Sequence, residues 1–133
     1  MALKLTMLSP ERKLLSDIPV QSVTVPGSEG QIEILDGHAT FYGLLETGPF
    51  RYLAEDGSEE SGVISSGFCR VEGENVTLLA ETLEFSREIE LGRARDAQKK
   101  AEEQLREASL DEKSFKKYER KLQRALVRQQ MAK

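Results

Sequence analysis

Tryptophan is absent from this sequence, and cysteine and histidine occur once each, as Cys69 and His38. One thiol cannot form an intrachain disulfide, and one Cys with one His cannot supply the ligand set of a structural zinc site. A lone thiol suits a reducing compartment. Long apolar runs are also missing: a bilayer-spanning helix needs roughly 20 consecutive apolar residues, and no stretch approaches that. The opening MALKLTMLSPERKLL has neither the apolar segment nor the cleavage site of a secretory signal, and its strand-like alternation is unlike an organellar transit peptide. The expectation is a soluble chain that works where it is made. Hydrophobic residues are 38% of 133 and charged residues 32%, so the core is modest and there is room for one domain with an appendage.

Charge divides the chain more clearly than composition does. Residues 1–87 carry six Lys/Arg and fourteen Asp/Glu, a net of −8, whereas residues 88–133 carry thirteen and nine, a net of +4. The last segment, Lys113 to Lys133, holds eight basic residues against one acid, Glu119. An acidic protein with a basic end presents different faces to different partners.

The first part is punctuated like an all-β domain. Runs such as LKLTML, VQSVTV, QIEIL, ATFYGLL, FRYL, GVISSG, FCRV and NVTLLA are separated by Pro26-Gly27, Asp36-Gly37, Gly48-Pro49, Asp56-Gly57 and Gly73. Turn signals recurring at about 8 to 12 residues mark a sandwich or barrel. In QIEIL, Ile32 and Ile34 share one face and Gln31 and Glu33 the other, the pattern of a half-buried antiparallel strand. The reading is a β-sandwich over residues 1–87.

From Glu88 onward the period changes. Ala94, Ala97, Ala101, Leu105 and Ala108 recur at helical spacing, and Phe115, Tyr118, Leu122, Ala125 and Leu126 do so again further on. Between them Ser109 and Glu112 fit a capping box, in which Ser109 caps the second helix and Glu112 returns the bond. Two helices of about 20 residues, each roughly 30 Å long, joined by so short a link, must run antiparallel. Residues 88–133 are therefore expected to form a helical hairpin. An alanine-rich seam buries little apolar area per turn, so the hairpin should open readily.

Few residues offer chemistry. His38 sits in the turn Leu35-Asp36-Gly37-His38-Ala39, with no nucleophile at a triad-like spacing. Cys69 lies inside an apolar run, as a small core hydrophobe does. The acidic stretch Glu55 to Glu60 lacks the ordered ligand spacing of a calcium loop and reads as a solvated hairpin tip. No convergent catalytic set emerges, and no enzymatic activity is expected. The basic second helix leaves three readings: a solvated face, a nucleic-acid-binding module, or a contact for an acidic protein. Its narrow apolar face lacks the large residues that insert into membranes, and a β-part of net charge −8 would repel phosphate backbones.

The order of motifs resembles the epsilon subunit of bacterial F-type ATP synthases. VTVPGSEGQIEILDGHAT is similar to that family's V-x-x-P-G-x-x-G-x-x-G-[IV]-L-P-G-H-A segment, SSGFCRVEGENVTLLAETLE to its S-G-G-F-x-E-V segment, and IELGRARDAQKKAEEQL to its alanine-rich first helix. Departures occur at Asp36, where the family usually has Pro, and at Ser66, where it has the first Gly of a pair.

The resemblance implies a non-catalytic rotor part, peripheral at the cytoplasmic face of the bacterial plasma membrane. Its β-domain would bind the gamma subunit and the c-ring, with Gln31 and His38 at that interface. Its hairpin would either fold on the β-domain or extend into the catalytic α/β hexamer and inhibit ATP hydrolysis, Lys116, Lys117, Arg120 and Lys121 then meeting an acidic β-subunit surface. No cofactor is required, but some members bind ATP through an [IL]-D-x-x-R-A motif and further arginines. Here Ile89-Glu90-Leu91-Gly92-Arg93-Ala94 occupies that stretch. The implied nucleotide set is Glu90, Arg93, Arg124 and Arg128, with Lys100 where a further arginine would stand.

Overall fold

In the computed structural model, which describes residues 3–106 and 111–132, seven strands precede two helices. The strands are β1 (Leu3–Leu8), β2 (Lys13–Gly27), β3 (Gly30–Leu35), β4 (Phe41–Leu45), β5 (Gly48–Ala54), β6 (Glu59–Glu72) and β7 (Asn75–Phe85). A 3₁₀ turn, Ser86–Glu88, leads to α1 (Leu91–Leu105) and α2 (Glu112–Met131). The β-sandwich followed by a helical hairpin is therefore present.

The strands close on themselves. β1 pairs β7, β7 pairs β6, β6 pairs β5, β5 pairs β2, and β2 returns to β1, while β3 and β4 extend this ring from β2 and β6. All pairings are antiparallel except β1 with β7, where Leu5 faces Val76 and Met7 faces Leu78. The long strands β2 and β6 run through both layers, so few edges remain to attract other chains. Inward side chains of both layers meet in one core that includes Leu3, Leu5, Met7, Val23, Ile34, Phe50, Ile64, Val71, Leu78 and Phe85, all buried.

Two sequence runs, GVISSG and FCRV, prove to be one strand. β6 continues through Ser66, whose φ of 30° is unusual for a residue with a side chain. That turn of the backbone changes the alternation: Ile64 points into the core before it, and Cys69 and Val71 after it. β6 also lies very close to β7. A Cβ at Gly62 would drive into the Glu84 carbonyl oxygen and stand 2.6 Å from Phe50 Cζ, so only glycine fits.

The hairpin is in its folded state, with α1 against α2 and α2 against β5 and β6. Ala94 and Ala101 of α1 and Ala125 of α2 are buried, and Gln129 donates to Gln98 across the seam at 2.5 Å. The first helix is shorter than expected because the chain makes its 3₁₀ turn before Leu91. The second starts differently from expectation too. Asp111 is its N-cap, accepting the Ser114 N–H at 2.7 Å, which makes Glu112 the first helical residue. Ser109 of the expected capping box, and Ala108 of the seam, lie outside the described residues. The apolar stripe of α2 is only partly covered: Phe115 is 45% and Leu126 42% exposed. No helix among the described residues is long and apolar enough to cross a membrane.

Candidate functional site

Charge holds the junction between strands and helices. Glu88 receives both terminal nitrogens of Arg12, at 3.0 and 2.6 Å, and accepts the Phe85 backbone N–H at 2.9 Å. The Arg12 hydrogen bonds hold the Glu88 carboxyl below its usual range and raise the guanidinium's own pKa. Next to it Arg87 pairs with Glu60 at 2.6 Å while its guanidinium lies over the Phe85 ring, 4.1 Å from the centroid. The turn that launches α1 is thus tied to the β1–β2 turn on one side and to β6 on the other.

The same outer sheet face has a covered half and a bare half. Directly opposed residues on neighbouring strands point to one face, and Val63 opposes Glu84. Glu84 is bound by Arg128 of α2, through Nε and, at 3.5 Å, through Nη2. Val63 is buried yet stands apart from the main core, because the helices cover it. Ser65 and Thr82, also opposed, share a hydrogen bond under the same cover. Beyond Ser66 the face is bare. Leu44 opposes Phe68, Phe68 opposes Leu79, and Leu79 opposes Leu8, giving an apolar row across four strands. Leu44 is 65% and Leu79 43% exposed, and Tyr42 stacks on Phe68 with centroids 6.2 Å apart. Sequence reading missed this row; its signal was apolar residues at outward positions of alternating strands.

Lys116, Lys117, Arg120 and Lys121, expected to face a partner, lie together along α2. With Lys113 and Arg124 they form one wall of a cleft of about 520 Å³ whose other wall is strand and loop. The basic face is therefore turned partly over the strands in this state and is not wholly presented to solvent.

Glu90, Arg93, Arg124 and Arg128, the residues named for a nucleotide, all line a second cleft of about 540 Å³ at the junction. The structure gathers them, but it also engages most of them. Arg93 pairs with Glu90 at 3.2 Å and Arg128 with Glu84, and Arg12 in the same cleft is held by Glu88. Four arginines there meet five glutamates. Lys100 lies elsewhere, in a groove between the two helices.

Gln31 and His38 sit toward opposite ends of β3, and four residue rises of about 3.4 Å separate Gln31 from Leu35. Phe41 links them: its ring meets His38 edge-on at 6.1 Å, and it shares with Gln31, Tyr42 and Leu44 a cleft of about 430 Å³. His38 Nδ1 donates to the Ala39 carbonyl at 2.8 Å and the His38 N–H to the Leu35 carbonyl at 3.1 Å, closing a turn on Gly37, whose φ is 83°. Cys69 is buried in the core, and burial pushes its thiol up to about 11, out of range for a nucleophile at neutral pH. In the acidic tip, Asp56 accepts from the Ser58 N–H and hydroxyl, Glu59 pairs with Arg51 and Glu60 with Arg87.

Fold and site together define a class of protein built of a β-shell and a helical arm: an acidic shell with a bare apolar row, and a basic hairpin laid over part of it. Comparison with known proteins makes the class specific. A family model of the ATP synthase delta/epsilon chain β-sandwich domain matches residues 2–86, and one of its long α-helix domain matches residues 87–133. The sequence is 39% identical over 130 residues to the ATP synthase epsilon chain of Geotalea uraniireducens, covering 98% of this chain and 93% of that one. It is 38% identical over 126 residues to the epsilon chain of Natranaerobius thermophilus, covering 94% and 88%. Among solved structures, a chain of the Euglena gracilis mitochondrial ATP synthase OSCP/F1/c-ring assembly shares the fold with a TM-score of 0.81 at 24% identity, covering 95% of this chain and 78% of that one. A chain of the Tetrahymena thermophila central stalk/c-ring assembly does so at 0.64 and 12% identity, with 100% and 98% covered.

The chain belongs to the ATP synthase delta/epsilon chain family, as an epsilon-type member. It is accordingly a non-catalytic subunit, serving ATP synthesis and ion transport as part of that complex. The nucleic-acid alternative finds no support in these comparisons.

Proposed function

We propose that the chain couples the catalytic head of an ATP synthase to its c-ring as a central-stalk subunit, and restrains ATP hydrolysis through its helical hairpin. The observation that carries this reading is the bare row Leu8–Leu79–Phe68–Leu44, continuous with the half of the face that α2 covers. Contiguous exposed apolar residues on a small protein mark a partner surface. The partner proposed is the gamma subunit, a reading supported by the similar folds, which come from an OSCP/F1/c-ring assembly in Euglena and a central stalk/c-ring assembly in Tetrahymena. The loop of His38 and the cleft beside Gln31 flank that row and would extend the contact toward the c-ring. Bound this way, the chain would be peripheral at the cytoplasmic face of a bacterial plasma membrane.

In the extended state, Lys116, Lys117, Arg120 and Lys121 would lie against an acidic surface of the catalytic α/β hexamer, where opposite charge favours docking. No cofactor is needed for either task. ATP as a regulatory ligand is supported by the shared cleft of Glu90, Arg93, Arg124 and Arg128. Of its arginines, Arg124 alone has no ion pair among the described residues, so it has the most charge to offer.

The test is binding to purified gamma subunit. Leu44→Glu with Leu79→Glu places charge on exposed positions and leaves the core intact, so the variant should fold and lose affinity by about thirtyfold or more, as for a hot spot. Unchanged affinity would remove the row from the interface.

A further inference from the structure

We propose that the cleft between α2 and the strands is a binding site for a compact polyphosphate anion, recognised through its phosphates and not through any attached base. Among the described residues lining it, six cations, Lys113, Lys116, Lys117, Arg120, Lys121 and Arg124, face a single carboxylate, Glu81. Among the described residues only Lys116 of the six has an ion pair, with Glu112 at 3.5 Å, while Lys117 and Lys121 lie over the Tyr118 ring, 5.6 and 5.5 Å from its centroid, a contact that leaves their charge unneutralised. All six already share α2; folding the hairpin lays these like charges over a protein wall, where water screens them less, which costs energy and focuses a positive potential into the cleft. An anion of high charge density relieves that cost.

The opposite wall fits the same ligand. Thr47 and Ser66 present hydroxyls, and the Ser65 hydroxyl is already engaged by Thr82. Among the described residues no aromatic ring and no large apolar side chain lines the cleft, so its lining does not stack a base. Lysine ammonium groups serve phosphates as point charges and the two arginines as forks. The volume of about 520 Å³ falls in the ordinary range for small-molecule sites. The neighbouring junction cleft makes the contrast: there Arg12, Arg93 and Arg128 are each already paired with a glutamate, and an incoming anion would have to displace carboxylates. Arg124 lines both clefts.

One wall of the site is α2 and the other is strand, so the site exists only while the hairpin is folded. A ligand bound there stabilises the folded state by mass action. If the proposed function holds, the same cations cannot then reach the catalytic hexamer; that consequence rests on that reading, whereas binding itself does not.

The experiment is isothermal titration of the full chain with inorganic triphosphate and with ATP in buffers of matched ionic strength, alongside thermal melting. Both ligands should bind with similar affinity, raise the melting temperature and weaken as salt rises. Lys117→Gln with Arg120→Gln should bind at least about tenfold more weakly. Arg95→Gln with Lys99→Gln removes equal charge from exposed α1 positions outside the cleft and should bind as the original does. The proposal is overturned if triphosphate does not bind, if ATP binds and triphosphate does not, or if both double variants lose affinity equally. Circular dichroism of each variant establishes that its helices are intact, and the gamma-binding assay separately tests the rotor reading.

Discussion

The Arg128 guanidinium on α2 grips the Glu84 carboxylate on β7, and among the described residues this is the one ion pair that joins α2 to the strands. Both side chains are largely shielded, 20% and 27% exposed. The bond sits over Val63, where the helices close on the sheet. With a seam of alanines contributing little apolar area, this contact holds a large share of the folded hairpin together.

Arg128→Ala should therefore loosen the hairpin by about 1 to 2 kcal/mol, leaving Glu84 without its partner. Hydrogen exchange in α1 and α2 should accelerate while that of the strands stays slow. Glu84→Ala should do the same, and the double variant should lose less than the sum. Strictly additive losses would show that the two residues act independently.

The Arg12–Glu88 contact predicts a pH dependence. The Glu88 carboxyl is held below its unfolded value, chiefly by its hydrogen bonds with Arg12, so the folded state binds that proton less readily. Its contribution to stability is present above the unfolded pKa of about 4.3 and is lost as pH falls through the lower folded value. Wild-type melting temperature should drop across that acid window. In Glu88→Gln the drop should be smaller, measured against wild type at the same pH values.

The main core is assembled wholly from residues between Leu3 and Phe85. A chain ending at Glu88 keeps Glu88 for Arg12 and should melt cooperatively and bind the gamma subunit as the full chain does. Loss of folding or of gamma binding in that shortened chain would show that the helices are needed for the shell.

Reversing Lys116, Lys117, Arg120 and Lys121 to Glu should relieve inhibition of ATP hydrolysis in the assembled complex, with gamma binding unchanged. Salt should weaken the wild-type inhibition over a screening length of roughly 8 to 10 Å. Full inhibition by the reversed protein in a hydrolysis assay would exclude these four from the contact.

Sequence alone determined the two-part plan. Turn residues at regular intervals and period-two alternation specify strands locally, and alanine at three- and four-residue spacing specifies a helix face; both are short-range rules that the chain obeys wherever it goes. The tertiary structure decided what those faces meet. The unusual backbone at Ser66 fused two sequence runs into β6, and the parallel pairing of β1 with β7 brought Leu8 beside Leu79, a partner 71 positions away, so an apolar row formed that neither strand announces. Arg93, Arg124 and Arg128 look alike in sequence, yet Arg93 pairs with the nearby Glu90, Arg128 meets Glu84 only through the packing of α2 on the sheet, and Arg124 has no ion pair among the described residues. Helical spacing shows which cations share a side of α2; only the long-range contact with β6 turned that side over a wall of hydroxyls. Local sequence sets periodicity, whereas the opposite wall comes from residues far away along the chain, and that separation is why the cleft was not legible from the helix itself.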